Sequence, residues 1–389
     1  MLMKSLLMKH GLALLFILSL FSCTTQATQD PNTFIVSGLV EGLDTEYMSY
    51  SYRDAEGKRV SDSVFVKDNR FTYTGTIYEP THIIFWPNVE RTIKRSGRGY
   101  YPAKSSQFAF LASPGDRIEF SGKITDFVNA YPSGTQANDD LSTINKEIFP
   151  LMNQSVNTQL EINKLDESDS KRQELEASMD QLNKEVIEKK KAFVVANPGS
   201  EAAAWYLSDM MVRSHVTQEE AISLFKSLDN NLSQYPFYAA VAQRVEGIES
   251  TKVGKIMPNF STSASMDGEP FELNSLRGKY VLIDFWGTWC APCIAEMPTV
   301  KAYKEKYADR LVVLGVNNGD TMDKVKRFVE PKGYDWQQIL DKEGKQDLVL
   351  KLNVAGFPTK FILSPEGEIL YRFVGETKMA FDVLDEILE

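Results

Sequence analysis

Three hydrophobic rhythms follow one another along the chain. From Phe34 to Ser121, apolar and polar residues alternate at period two. Phe71-Thr72-Tyr73-Thr74-Gly75-Thr76-Ile77 is a clear case, rich in β-branched and aromatic side chains, and such spacing predicts strands. Ser63-Val64-Phe65-Val66 precedes it across Lys67-Asp68-Asn69-Arg70, whose Asp-Asn centre suits a two-residue hairpin turn. Further strands are expected at Phe34–Val40, Tyr47–Tyr52, Ile83–Trp86, Phe108–Leu111 and Arg117–Ser121, with Pro114-Gly115-Asp116 turning between the last two. Many short strands separated by turn signals suggest a small sandwich or barrel.

From about Asn138 to Glu249 the rhythm becomes helical. Leu175, Met179, Leu182, Val186 and Phe193 recur at helical spacing with charges between them. Thr217-Gln218-Glu219-Glu220 is a capping-box signature, and Pro236 suits the first turn of a helix running to Val245. After a junction at Ser250–Phe260 the pattern alternates strand and helix, which favours a layered α/β unit. Strands are expected at Val281–Phe285, Leu311–Val316, Phe361–Leu363 and Ile369–Phe373. Helices are expected at Ala291–Tyr307, Thr321–Val329 and Phe381–Leu388.

The first residues have a different character. Lys4 and Lys9 precede an apolar stretch, Leu12–Phe21, that is short for a membrane span, as in an export signal. It ends in Leu20-Phe21-Ser22-Cys23, which resembles the lipobox of bacterial lipoproteins, although Phe21 stands where a smaller residue is usual. The expected outcome is lipidation of Cys23, and hence a lipid-anchored, extracytoplasmic protein of the cell envelope. Composition supports a folded protein, with 43% hydrophobic and 25% charged residues. A formal charge of −10 counts against nucleic acid as a partner. The basic run Arg91, Lys94, Arg95, Arg98 and Lys104, interleaved with Gly and Tyr, reads as a solvated hairpin loop. His82 and His215 stand alone and read as structural.

The chain has 3 cysteines, so lipidation of Cys23 leaves Cys290 and Cys293 as the only thiols. A disulfide between residues so close in sequence closes a tiny loop and adds little as a staple, so its use is chemical. Cys290-Ala291-Pro292-Cys293 follows a buried-looking strand and opens a helix. There, free amide donors and the macrodipole stabilise a thiolate at the first cysteine. The second cysteine is placed to attack the mixed disulfide that the first forms with a substrate. A zinc site would need more ligands than the C-terminal region offers, since it has no other Cys and no His.

Val281-Leu282-Ile283-Asp284-Phe285-Trp286-Gly287-Thr288-Trp289-Cys290-Ala291-Pro292-Cys293 resembles the active-site stretch of thioredoxin-fold proteins. Gly278-Lys279, Glu296 and Pro298 bring it closest to the TlpA/ResA-like membrane-anchored reductases, over about Pro258 to Glu389. The long connection from Val316 to Pro358, with an extra helix and Trp336–Ile339, resembles the TlpA-type insertion. The resemblance implies that Asp284 is the buried acid beneath the pair, able to take the proton of Cys293. Many TlpA relatives lack an acid at that position. It also implies that Gly356-Phe357-Pro358-Thr359 is the cis-proline loop that faces the pair and binds substrate backbone. Trp289 then belongs to the rim, and Trp286 to the core.

The expected organisation is a leader at 1–22, a tether at 23–33, a sandwich-like β domain at 34–135, a helical region at 136–250 and a thioredoxin-like α/β domain at 251–389. The resemblance implies a protein-disulfide reductase without a bound cofactor. Its substrates would be envelope proteins carrying disulfides, and its electrons would come from a membrane thiol–disulfide transporter. Two rivals are a peroxiredoxin-like peroxidase and a non-catalytic binding lipoprotein. The peroxiredoxin Pro-x-x-x-Thr-x-x-Cys pattern is absent, because Gly287 stands three before Cys290 and Cys290 itself three before Cys293.

Overall fold

A computed structural model describes residues 30–53, 59–343, 346–375 and 377–389; the expected leader, Cys23 and the tether as far as residue 29 lie outside the described residues. The alternating segment supplies β1 (Thr33–Glu41), β2 (Tyr47–Arg53), β3 (Arg59–Lys67), β4 (Arg70–Thr76) and β5 (Thr81–Trp86). The small hairpin β6 (Lys94–Ser96) and β7 (Gly99–Tyr101) follows, then β8 (Phe108–Ala112), β9 (Arg117–Ile124) and β10 (Val128–Ser133). Eight of these form one ladder in the order β10-β9-β1-β4-β3-β2-β5-β8, with β1 and β9 parallel. The ladder is thin at its middle, where β3 and β4 pair only through Val66–Phe71 and Lys67–Arg70. The two halves therefore fold face to face as a sandwich. Phe34 and Phe120 of one half meet Phe110 of the other with ring centroids 6.2 and 5.8 Å apart. Asp68 and Asn69 both take positive φ, 50° and 61°, which closes the two-residue turn as the sequence suggests.

The helical rhythm becomes α1 (Gln136–Ile162), α2 (Ser170–Ala196), α3 (Glu201–Val212), α4 (Gln218–Ser227) and α5 (Pro236–Ser250). Thr217 and Glu220 complete the capping box, and Pro236 takes the first turn of α5. The α1 residue Asn138 binds both backbone groups of Leu111 on the outermost strand, at 3.0 and 2.7 Å, and so occupies part of a bare sheet edge. The basic run departs from expectation. It does form a hairpin, but Lys94 is buried and the Lys104 that follows is half-buried: Lys94 binds Asp126 at 3.3 Å, and Lys104 reaches Asp209 of α3 at 2.7 Å. Acids far along the chain draw these two lysines inward, which composition alone does not reveal. His82 is half-buried and stacks on Trp205, with centroids 4.3 Å apart.

The last region holds β11 (Ser261–Thr262), β12 (Phe271–Glu272), β13 (Tyr280–Trp286), α6 (Ala291–Lys306), β14 (Leu311–Asn317), α7 (Met322–Val329) and β15 (Gln337–Leu340). It continues with β16 (Lys342–Glu343), β17 (Gln346–Asp347), α8 (Leu348–Lys351), β18 (Thr359–Leu363), β19 (Ile369–Val374) and α9 (Met379–Leu388). A five-stranded sheet runs β15-β14-β13-β18-β19, with the first three strands parallel and the last two antiparallel to their neighbours. This is a thioredoxin-like sheet with β13 at its centre. Alternate residues of β13 serve opposite faces. Val281, Ile283 and Phe285 belong to one core, while Leu282 and Trp286 join Cys290, Cys293, Met297 and Val300 in the other. Asp284 therefore faces the side that carries α6. The helical region meets this domain along α5, where a Cβ on Gly247 would lie 2.7 Å from the Lys351 carbonyl oxygen. Only glycine permits that approach of backbone to backbone.

Candidate active site

The central strand ends at Trp286, and Gly287-Thr288-Trp289 turns the chain into α6. Asp320 fixes this turn by accepting from the Thr288 backbone N–H and hydroxyl, each at 2.8 Å. Burial would raise the Asp320 pKa, but hydrogen bonds from Lys324, Thr288 and Asn317 outweigh it and hold the carboxyl below its ordinary value. Trp289 folds back over Gly287 and donates its indole N–H to the Asn318 carbonyl at 2.8 Å. A Cβ at Gly287 would lie 2.4 Å from that indole nitrogen, so glycine is what admits the ring.

Cys290 is the N-cap of α6, and its Sγ accepts from the Cys293 N–H at 3.3 Å. The two cysteines form a disulfide, with Cα atoms 5.3 Å apart. Cys290 is 4% exposed and Cys293 1%, so both are more sheltered than a helix start implies, and the first only slightly less than the second. The exposed neighbour is Trp289, at 55%. Its ring meets Phe357 nearly edge-on, with centroids 5.2 Å apart. The Phe357–Pro358 bond is cis. The Gly375 N–H donates to the Pro358 carbonyl at 2.8 Å, tying this loop to the end of β19. Trp286, by contrast, is fully buried and donates to Gln338 at 2.9 Å.

Asp284 is buried, and directly across the ladder from it stands Lys360. Lys360 Nζ donates to Asp284 Oδ1 at 2.8 Å and to Glu296 Oε2 at 2.9 Å. Glu296 lies one helical turn beyond Cys293 on α6 and also accepts from the Thr377 hydroxyl. Burial alone would push the Lys360 ammonium down, but the two carboxylates more than offset it and hold its pKa above the usual lysine value. Lys360 is the residue that sequence reasoning missed. Its signal was a single cation within the apolar run Thr359-Lys360-Phe361-Ile362-Leu363, answering a single acid in Val281–Trp286. Among the described residues no group of His, Cys, Asp and Glu is placed to hold a metal ion.

The profile of the AhpC/TSA family matches residues 253–372, and that of a domain of unknown function (DUF4369) matches residues 34–141. Thiol-disulfide oxidoreductase ResA of Bacillus thuringiensis (strain Al Hakam) is 33% identical over 129 residues, which cover 33% of this chain and 73% of that protein. This chain belongs to the ResA-like thiol-disulfide oxidoreductases. ResA of Bacillus subtilis (strain 168) gives the same picture, with 33% identity over 137 residues, 35% of this chain and 73% of ResA. Among solved structures, a thiol:disulfide interchange protein from Bacteroides sp. shares 25% identity, covering 36% of this chain and 91% of its own, at a TM-score of 0.33. The ResA-like part is the thioredoxin-like domain, and membership makes the chain an oxidoreductase of thiols and disulfides. No helix among the described residues is long and apolar enough to cross a membrane.

Proposed function

We propose that this ResA-like protein reduces disulfides of cell-envelope proteins, with Cys290 as attacking thiol and Cys293 as resolving thiol. The observation that carries the reading is the position of Cys290 at the N-cap of α6, with its sulfur accepting the Cys293 N–H. Unpaired amides and the helix dipole favour a thiolate there. The reduced Cys290 thiolate attacks one sulfur of the substrate disulfide, forming a mixed disulfide and releasing a substrate thiolate. Cys293 then attacks Cys290, which releases the second substrate thiol and leaves the Cys290–Cys293 disulfide. Two electrons and two protons pass to the substrate, and a membrane thiol–disulfide transporter returns them. Asp284 takes the proton of Cys293, with Lys360 holding the carboxylate in place. Trp289, Phe357 and Pro358 bind the substrate. A lipid on Cys23 holds the protein in the envelope, with the redox domain in the periplasm of a Gram-negative bacterium.

The test is mixed-disulfide trapping in intact cells. Cys293→Ala is expected to accumulate reductant-sensitive adducts with envelope proteins, and Cys290→Ala to form none. Equal trapping by the two variants overturns the assignment of attacking and resolving thiols. The match to the AhpC/TSA profile favours a second reading, a thiol peroxidase. Peroxide consumption by the reduced protein faster than its reduction of a protein disulfide would select it.

A further inference from the structure

A cleft of about 450 Å³ opens between the α3–α4 corner and the loop that carries Pro358. Val216 and Gln218 lie on the helical wall, and Asn353, Ala355, Arg372 and Val374 on the redox wall. Its volume is that of a binding site rather than a packing defect. The cleft continues the substrate loop. Ala355 stands three residues before Pro358, and Val374 pairs with Thr359, the residue after it. Between Ala355 and Pro358, Phe357 meets Trp289, the neighbour of Cys290. A polypeptide lying along the Pro358 loop with its sulfur at Cys290 thus reaches the cleft within a few residues.

The cleft also carries a charge with no counterion among the described residues. Among the described residues that line it, Arg372 is the charged one, in a chain of net charge −10. The Arg372 guanidinium is held in place: Nη2 donates to the Asn353 carbonyl at 2.5 Å, and the group lies 5.4 Å from the Phe361 ring centroid. Its Nε is buried without a partner, and none of the described carboxylates pairs with the group. A half-buried, fixed guanidinium with no carboxylate partner among the described residues favours a carboxylate in the cleft it lines. We propose that the cleft receives an extended segment of the disulfide-bearing substrate protein, and that Arg372 pairs with an acidic side chain on that segment. The helical region is then one wall of the substrate site rather than a spacer. This rests on disulfide exchange at Cys290, the reading given above.

The test uses the full chain, reduced, and pairs of cystine-bridged peptides. Each pair differs only by Glu against Gln at one position, two to five residues from the cystine on either side. At one or more offsets the Glu peptide is expected to show a kcat/KM roughly tenfold above that of its Gln twin, the size of one charge-assisted hydrogen bond. Arg372→Met is expected to bring that ratio to about one. Gln218→Glu, which sets a negative charge on the opposite wall at a helix position that tolerates acids, is expected to lower it too. The ratio is taken within each protein, so a general loss of activity does not enter it. A wild-type ratio near one at every offset, or a preference that survives both substitutions, overturns the proposal while leaving disulfide exchange standing. Failure of the wild type to reduce either peptide overturns both.

Discussion

Two ionic clusters of opposite construction, one partly and one deeply buried, hold this molecule. Between the sandwich and the helices, one carboxylate serves three cations: Asp209 binds Lys104 at 2.7 Å, Arg213 at 2.9 Å and Lys190 at 3.4 Å. Beneath the disulfide, one ammonium serves two carboxylates, Lys360 with Asp284 and Glu296. The physics is the same in both places. Burial opposes ionisation and the opposite charges restore it. Around Asp209, burial works against the carboxylate, yet Lys104 and Lys190 hold its pKa well below the ordinary value. Burial wins at Lys104, whose pKa falls to about 8. What differs is the sign of the hub and what lies beside it. The Asp209 hub ties the turn after the β6–β7 hairpin to α2 and α3, whose core is separate from the one that holds Cys290 and Cys293. The Lys360 hub bridges the central strand and the helix that bears both cysteines.

Removing a hub is expected to cost far more than removing a spoke. Asp209→Ala strands Lys190 in the interior, and Lys360→Met strands two acids. Each is expected to lower unfolding free energy by about 3–5 kcal/mol in denaturant titrations. A loss below about 1 kcal/mol in either would show that solvent, rather than the partner, satisfies the charges. The spoke Asp284 is the next effect in size, and it shows in rate. Asp284→Asn leaves Lys360 paired with Glu296, so stability changes little. Resolution of a trapped mixed disulfide near neutral pH is expected to slow about a hundredfold, the scale of one general base. Stopped-flow rates equal to wild type would remove Asp284 from the chemistry and make it purely a counterion.

The smallest effect concerns an acid with no cation paired to it among the described residues. Glu201 is almost fully buried, and its Oε1 has no hydrogen-bond partner. Burial, helped by nearby Asp116, pushes its pKa from 4.5 up to about 7. Between those two values the folded state keeps a proton that the unfolded chain has released. This contribution to stability is therefore present at low pH and lost as pH rises through about 7. Glu201→Gln is expected to flatten this slope and to raise stability at pH 8 relative to wild type by about 2 kcal/mol. An unchanged slope between pH 5 and pH 8, the range bracketing a midpoint of about 7, would mean that Glu201 finds a partner in solution.

Local rules made much of this architecture legible in the sequence, and partners distant along the chain account for what was not. The Asp68-Asn69 turn, the Thr217–Glu220 capping box and the central strand through Asp284 are each decided within a few residues, so the pattern exposes them. The strand β10 carries only Val128, Ala130 and Pro132 on its buried face and was not foreseen. Proline is tolerated there because β10 lies at the edge of the ladder order. The buried lysines were the larger omission. Lys190 continues the Leu182–Val186 stripe of α2 into the core, yet a lysine counts as polar in any periodicity. Its burial depends on Asp209, which lies on another helix. At the site, the cysteine pair, Asp284, Trp289 and the Pro358 loop could be named in advance. The cation that links Asp284 to the active-site helix could not, because it enters from a strand far along the chain.

Gly247 gives the redox domain a mechanical character. Its missing side chain lets α5 rest on the backbone of Leu350, Lys351 and Asn353, with no room for a compliant layer of side chains between them. The disulfide is therefore presented at a fixed bearing to the helices, like a tool set in a handle rather than hung on a cord.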